Sequence, residues 1–123
     1  MIVVSNTSPI SNLANVGQLS LISQLYGRIL IPWAVYEELL DPRAGETVIT
    51  AVRSAPWIDI QSVQNQGLVN DLRTRVNVGE AEAIALAIAF TSRRKSLSFY
   101  GKYLWLLGFV PRVQPTKLKK PGF

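Results

Sequence analysis

Three polar side chains, Asn6, Thr7 and Ser8, follow directly on the run Ile2-Val3-Val4. A β-branched run without alternation suits a strand covered on both faces in a parallel sheet. Ser8 then reads as a helix N-cap and Pro9 as the first helical residue, where no backbone N–H is needed. The trio therefore falls just past the carboxyl end of a first strand, which is where open α/β sheets place their ligand sites. A capped turn without chemistry accounts for the same three residues equally well.

A second group of candidates lies in Gly79-Glu80-Ala81-Glu82-Ala83-Ile84-Ala85-Leu86-Ala87-Ile88-Ala89. These are strong helix formers, apolar nearly all round, so the helix must be packed on several sides, and its two acids are confined to the first turn. Acids near a helix N-terminus stabilise it by roughly 0.3–1 kcal/mol each. That effect explains one glutamate. Residues two apart point to nearly opposite sides of a helix, so Glu80 and Glu82 cannot both face one site. One is then a partner of the helix dipole, and the other is free for chemistry.

The elements that must position these groups alternate. A strand at 2–5 precedes a helix from Pro9 that stops near Gly17, and Leu19, Leu21, Ile22, Leu25 and Tyr26 mark an amphipathic helix closed by Gly27. A buried strand at 29–31 follows. Pro32 opens a helix that ends at Asp41-Pro42. A helix at 45–55, a strand at 57–60 and a polar-faced helix at 68–76 lead to the Gly79 helix, with a last strand expected at 97–100 and a short helix at 103–107. Strand–helix alternation without internal repeats or low-complexity tracts predicts a parallel α/β domain.

Length and composition narrow the chemistry. A chain of 123 residues suffices for one domain with a real core and is too short for two. With 48% hydrophobic and 17% charged residues it reads as globular. Cysteine and histidine are both missing, which excludes disulfides, thiolate and imidazole metal sites, and serine–histidine or cysteine–histidine catalysis. No uninterrupted apolar stretch is long enough to span a bilayer. Asn6 and Ser8 break the N-terminal apolar run, so no signal peptide is expected and the reading is cytoplasmic, with no membrane partner.

Charge divides sharply along the chain. Residues 1–92 hold five basic groups and all eight acids, whereas residues 93–123 hold Arg93, Arg94, Lys95, Lys102, Arg112, Lys117, Lys119 and Lys120 with no acid. The net charge of +5 therefore comes entirely from the tail. Phe99, Tyr100, Tyr103, Trp105, Phe109 and Phe123 are interleaved with those cations. Such a pattern can track a phosphate backbone and stack on unpaired bases. A packed final strand and helix with solvated cations explain it more simply, and rank first.

Taken together, Val3-Val4-Ser5-Asn6-Thr7-Ser8-Pro9, Leu30-Ile31-Pro32 leading into Val35-Tyr36-Glu37-Glu38-Leu39, and the Gly79–Ala89 helix resemble a PIN-like domain. Within that family, the chain looks similar to the prokaryotic PIN-like subfamily related to VapC-type toxins. The resemblance runs from Met1 to about Phe90, with 1–123 as a single domain and 93–123 as an atypical C-terminal segment. An altered reading frame or truncation would account for that departure.

The resemblance implies an αβα sandwich around a parallel sheet, with clustered carboxylates that bind Mg²⁺ or Mn²⁺ and hydrolyse RNA phosphodiesters. It places Asn6 at the family's first acidic position, with Thr7 and Ser8 as substrate-binding hydroxyl neighbours. Glu38 falls at the second acid and Glu82 at the third, both as metal ligands, with Glu80 and Glu37 as the alternatives in a shifted register. Two departures follow. The first acid is an amide here, and the family's last acid has no counterpart, because no acid precedes position 37 or follows 82.

Mg²⁺ takes oxygen ligands, usually one or two carboxylates with waters and substrate phosphates. A two-metal phosphodiesterase centre needs enough negative charge to hold two cations about 3.5–4 Å apart. Asn6 supplies an oxygen but no charge, so the residues support one weak metal site. The expected function is a PIN-like ribonuclease of low or absent activity, in the family manner a toxin neutralised by a small antitoxin protein. The alternatives are an inactive RNA- or protein-binding module and a homo-oligomerising domain.

Overall fold

A computed structural model describes residues 2–94. The strand expected at 97–100, the helix at 103–107 and the basic, aromatic segment from Lys95 onward lie outside the described residues. Two strands, β1 (Ile29–Pro32) and β2 (Ile58–Gln61), pair in parallel with Ile29 opposite Ile58 and Pro32 opposite Gln61. The N-terminal residues lie along the other edge of β1. Leu30 N–H donates to the Val3 carbonyl at 2.8 Å and Ser5 N–H to the Leu30 carbonyl at 3.0 Å, a parallel bridge centred on Val4. The expected strand at 2–5 is thus shortened to one bridge, because the chain leaves the sheet at Asn6 to begin a helix.

That helix, α1 (Thr7–Asn15), starts earlier than the sequence suggests, with Asn6 rather than Ser8 at the N-cap. Pro9 is tolerated at the third helical position, since the first four helical N–H groups have no intrahelical partner in any case. Gly17, at φ 72°, reverses the chain after α1, and Gly27, at φ 77°, closes α2 (Ser20–Tyr26) by donating to the Ser23 carbonyl. Left-handed backbone of this kind favours glycine. Then come α3 (Trp33–Leu40), a 3-10 turn at Pro42–Ala44, α4 (Glu46–Arg53), α5 (Gln66–Leu72) and α6 (Val78–Arg94). Helix α5 begins before the expected Leu68 because the Asn65 side chain caps it, accepting from Leu68 N–H at 3.0 Å.

Alternate strand residues feed two cores. Val3, Ile29 and Ile31 join Ile10, Ile22, Val35, Leu39, Val48 and Val52 from α1 to α4. On the other face Val4 meets Ala83, Leu86 and Ala87 of α6, with Leu30 packed alongside. Helix α5 then packs on α6 through Val69, Ala81 and Ala85. The apolar character of α6 on nearly every side is thus used twice, against the sheet and against α5. Helices on both faces of a small open parallel sheet make an αβα sandwich. Burying each Val, Leu or Ile in these layers contributes about 1.5–3 kcal/mol relative to leaving it exposed.

Candidate active site

The switch from sheet to helix at Asn6 creates the site. Asn6 is 4% exposed and Ser5 fully buried, the Ser5 hydroxyl donating to the Asn6 carbonyl at 2.9 Å. The Asn6 side chain makes no capping bond, and its Oδ1 is buried without a hydrogen-bond partner. An orphaned buried acceptor costs on the order of 1–3 kcal/mol. One residue on, the Thr7 hydroxyl donates to Oε1 of Glu38 at 2.8 Å. This bond ties the start of α1 to the second turn of α3.

The N-terminus of α6 forms the opposite wall. Glu80 N–H donates to Oδ1 of Asn77 at 2.8 Å, and Asn77 N–H approaches Oε1 of Glu80 at 3.4 Å, a reciprocal capping box. Asn6, Thr7, Ser8, Glu38, Asn77 and Glu80 together line a cleft of about 160 Å³. Carboxylates here face the positive end of the α6 dipole, which offsets part of their mutual repulsion.

Glu82 is placed differently. Its Oε1 accepts from Ala34 N–H at 3.1 Å, in the first turn of α3, so it satisfies a backbone donor there. Ala34 meets Glu82 while Glu38 lies against Gly79, so α3 and α6 run in opposite directions. Glu37 is exposed and takes no part in lining the cleft. The structure thus brings Asn6, Thr7, Ser8 and Glu38 together with Glu80, and sets Glu82 against the neighbouring helix. Asn77 is the member of the cleft that sequence reasoning passed over, although Asn followed three residues later by Glu is the signature of a capped helix start.

Among the described residues no group of three acidic, histidine or cysteine side chains is placed to hold a metal ion. The donors that do converge are all oxygens, from Asn6, Glu38 and Glu80. Oxygen donors are the type that a hard cation such as Mg²⁺ or Mn²⁺ takes, and Oδ1 of Asn6 is a buried oxygen with no hydrogen-bond partner. Two carboxylates carry too little charge for a two-ion centre.

A small open parallel sheet covered by helices on both faces, with a polar cleft where the N-terminal segment leaves the sheet for a helix, defines the class: αβα domains, in which ligand sites generally lie at the carboxyl ends of the strands. Within that class the chain belongs to the PIN domain family, whose model DUF3368, described as a PIN domain, matches residues 2–94. This match is to the family and does not single out VapC-type toxins. No curated protein and no solved structure matches the chain. Among the described residues no helix is long and apolar enough to cross a membrane.

Proposed function

We propose that this PIN domain is a metal-dependent ribonuclease by descent, whose cleft takes an RNA phosphodiester but cleaves it slowly or not at all. The observation that carries this reading is the buried, unpartnered Oδ1 of Asn6, a residue that lines the same cleft as Glu38 and stands where the resemblance calls for an acid. Asn6 and Glu38 would hold a single Mg²⁺ or Mn²⁺, with Glu80, which lines the same cleft, as the third oxygen donor, and Glu82, which accepts from Ala34 N–H, as the alternative that the resemblance implies. A bound cation supplies Lewis-acid polarisation of a phosphoryl oxygen and a more acidic bound water.

The residues of the chain do the rest. Thr7 holds one Glu38 oxygen by its hydroxyl and so fixes the carboxylate at the start of α1. Ser8 is exposed at the rim, where its hydroxyl can donate to a phosphate oxygen. Replacing a carboxylate by the Asn6 amide removes a full negative charge from the place where cation retention depends on it. Lost metal charge harms the transition state more than substrate capture, since it acts on charge that develops during in-line displacement.

The test is cleavage of single-stranded RNA by the purified protein in Mg²⁺ and in Mn²⁺, beside Glu38→Gln and Glu82→Gln. Slow or undetectable cleavage with retained RNA binding is the expected result. Robust cleavage abolished by Glu82→Gln would overturn the weak-activity reading and build the centre on Glu82. Cleavage indifferent to both variants would place it outside this cleft.

A further inference from the structure

Gly79 occupies the second position of α6, where helix propensity favours almost any other residue. Its φ is not in the left-handed region, so the backbone does not require glycine. What it admits is a side chain from another helix. A Cβ at position 79 would overlap Oε1 of Glu38 and stand 3.1 Å from its Cδ, with Oδ1 of Asn77 next at 3.5 Å. The buried surface of Gly79 is thus the floor on which the Glu38 carboxylate rests.

We infer that Gly79 is a positioning residue: it seats Glu38 over the N-terminus of α6 so that the Thr7 hydroxyl can hold the carboxylate beside Asn6. The inference rests on the reading of this cleft as the functional site. The blocking atoms are the far end of a flexible side chain, so a methyl group at position 79 displaces the Glu38 carboxylate rather than the helices. The fold survives and the site does not. Gly67 in α5 provides the contrast, because a Cβ there meets only Oδ1 of Asn65, at an ordinary 3.6 Å.

The experiment compares wild type, Gly79→Ala, Gly67→Ala and Glu38→Gln by Mn²⁺ titration and thermal melting of the full chain. Gly79→Ala should lose Mn²⁺ affinity about as completely as Glu38→Gln, tenfold or more, while Gly67→Ala binds as wild type does. Gly67→Ala should melt no lower than wild type, and Gly79→Ala close to it, because the gain from the better helix former offsets the lost Thr7–Glu38 bond. Mn²⁺ affinity in Gly79→Ala within twofold of wild type would overturn the inference. So would a large fall in its melting temperature, which would mean that more than a side-chain tip is displaced.

A metal-free arm separates this inference from the reading beneath it. Thr7→Val should lower the melting temperature in the wild-type and Gly67→Ala backgrounds but leave it unchanged in Gly79→Ala, where the Thr7–Glu38 bond is already broken. If wild type takes up no Mn²⁺ while this dependence holds, the metal reading fails and the seat stands. An equal effect of Thr7→Val in all three backgrounds would overturn the seat, whatever the metal does.

Discussion

The proposed function turns on one atom of Asn6. Its Oδ1 is taken out of water and given no donor, a cost that a bound cation, or a carboxylate holding one, would offset. Asn6→Asp should therefore tighten Mn²⁺ binding by on the order of tenfold, because it adds a full charge beside Glu38. The same change should lower the melting temperature of the metal-free protein, since two carboxylates then crowd one cleft. Calorimetric titration and melting with and without Mn²⁺ read both effects. Equal, negligible affinities in the two forms would mean that the cleft does not assemble around a cation. Position 6 as a candidate was legible from its place after a β-branched run; its burial and its missing partner were not, because they depend on what α3 and α6 bring over it.

At the scale of elements, the cleft is held by helix starts. The Asn77 side chain caps α6, and Asn77→Ala should cost about 1 kcal/mol, measured by denaturant unfolding, while loosening the wall that faces Glu38. A second cap is sensitive to pH. The Arg43 side chain, and then its backbone N–H, donate to Asp41 at the 3-10 turn and hold that carboxyl down to about 2. Its ordinary value in an unfolded chain is about 3.9. The folded form thus binds the proton less readily, so the contribution of Asp41 is complete above about pH 4 and is lost as pH falls toward 2. Arg28 depresses Asp59 in the same direction, tying the start of β1 to β2 by two side-chain hydrogen bonds. Melting curves of Asp41→Asn should accordingly depend less steeply on pH between about 4 and 2 than those of wild type.

For the whole molecule, the proposed function makes the uneven distribution of charge along the chain the property to test. All eight acids lie before position 83 and eight of the thirteen basic groups lie after position 92. RNA binding should therefore be electrostatic and fall steeply with salt, with a log–log slope of about −0.7 for each phosphate neutralised on a single strand. Filter binding between 50 and 200 mM salt measures it. Affinity that ignores salt would point to recognition by the cleft alone. Asn6→Asp should leave this slope unchanged, because one buried charge alters the cleft and not the basic segment.

The sequence by itself determined the alternation of strands and helices, the helix stops at Gly17 and Gly27 and the apolar character of α6, because these depend on neighbours within a few residues. It also determined the family, since motifs at 3–9, 30–39 and 79–89 stand in order along one chain. It stated that Glu80 and Glu82 must diverge, which follows from helical geometry alone. Only the tertiary structure decided which went where. Glu80 reaches the cleft through its own capping box, whereas Glu82 meets Ala34, 48 residues away, because α3 lies antiparallel on α6. That packing angle and register are set by the summed burial of two cores around three parallel segments, which no local pattern encodes.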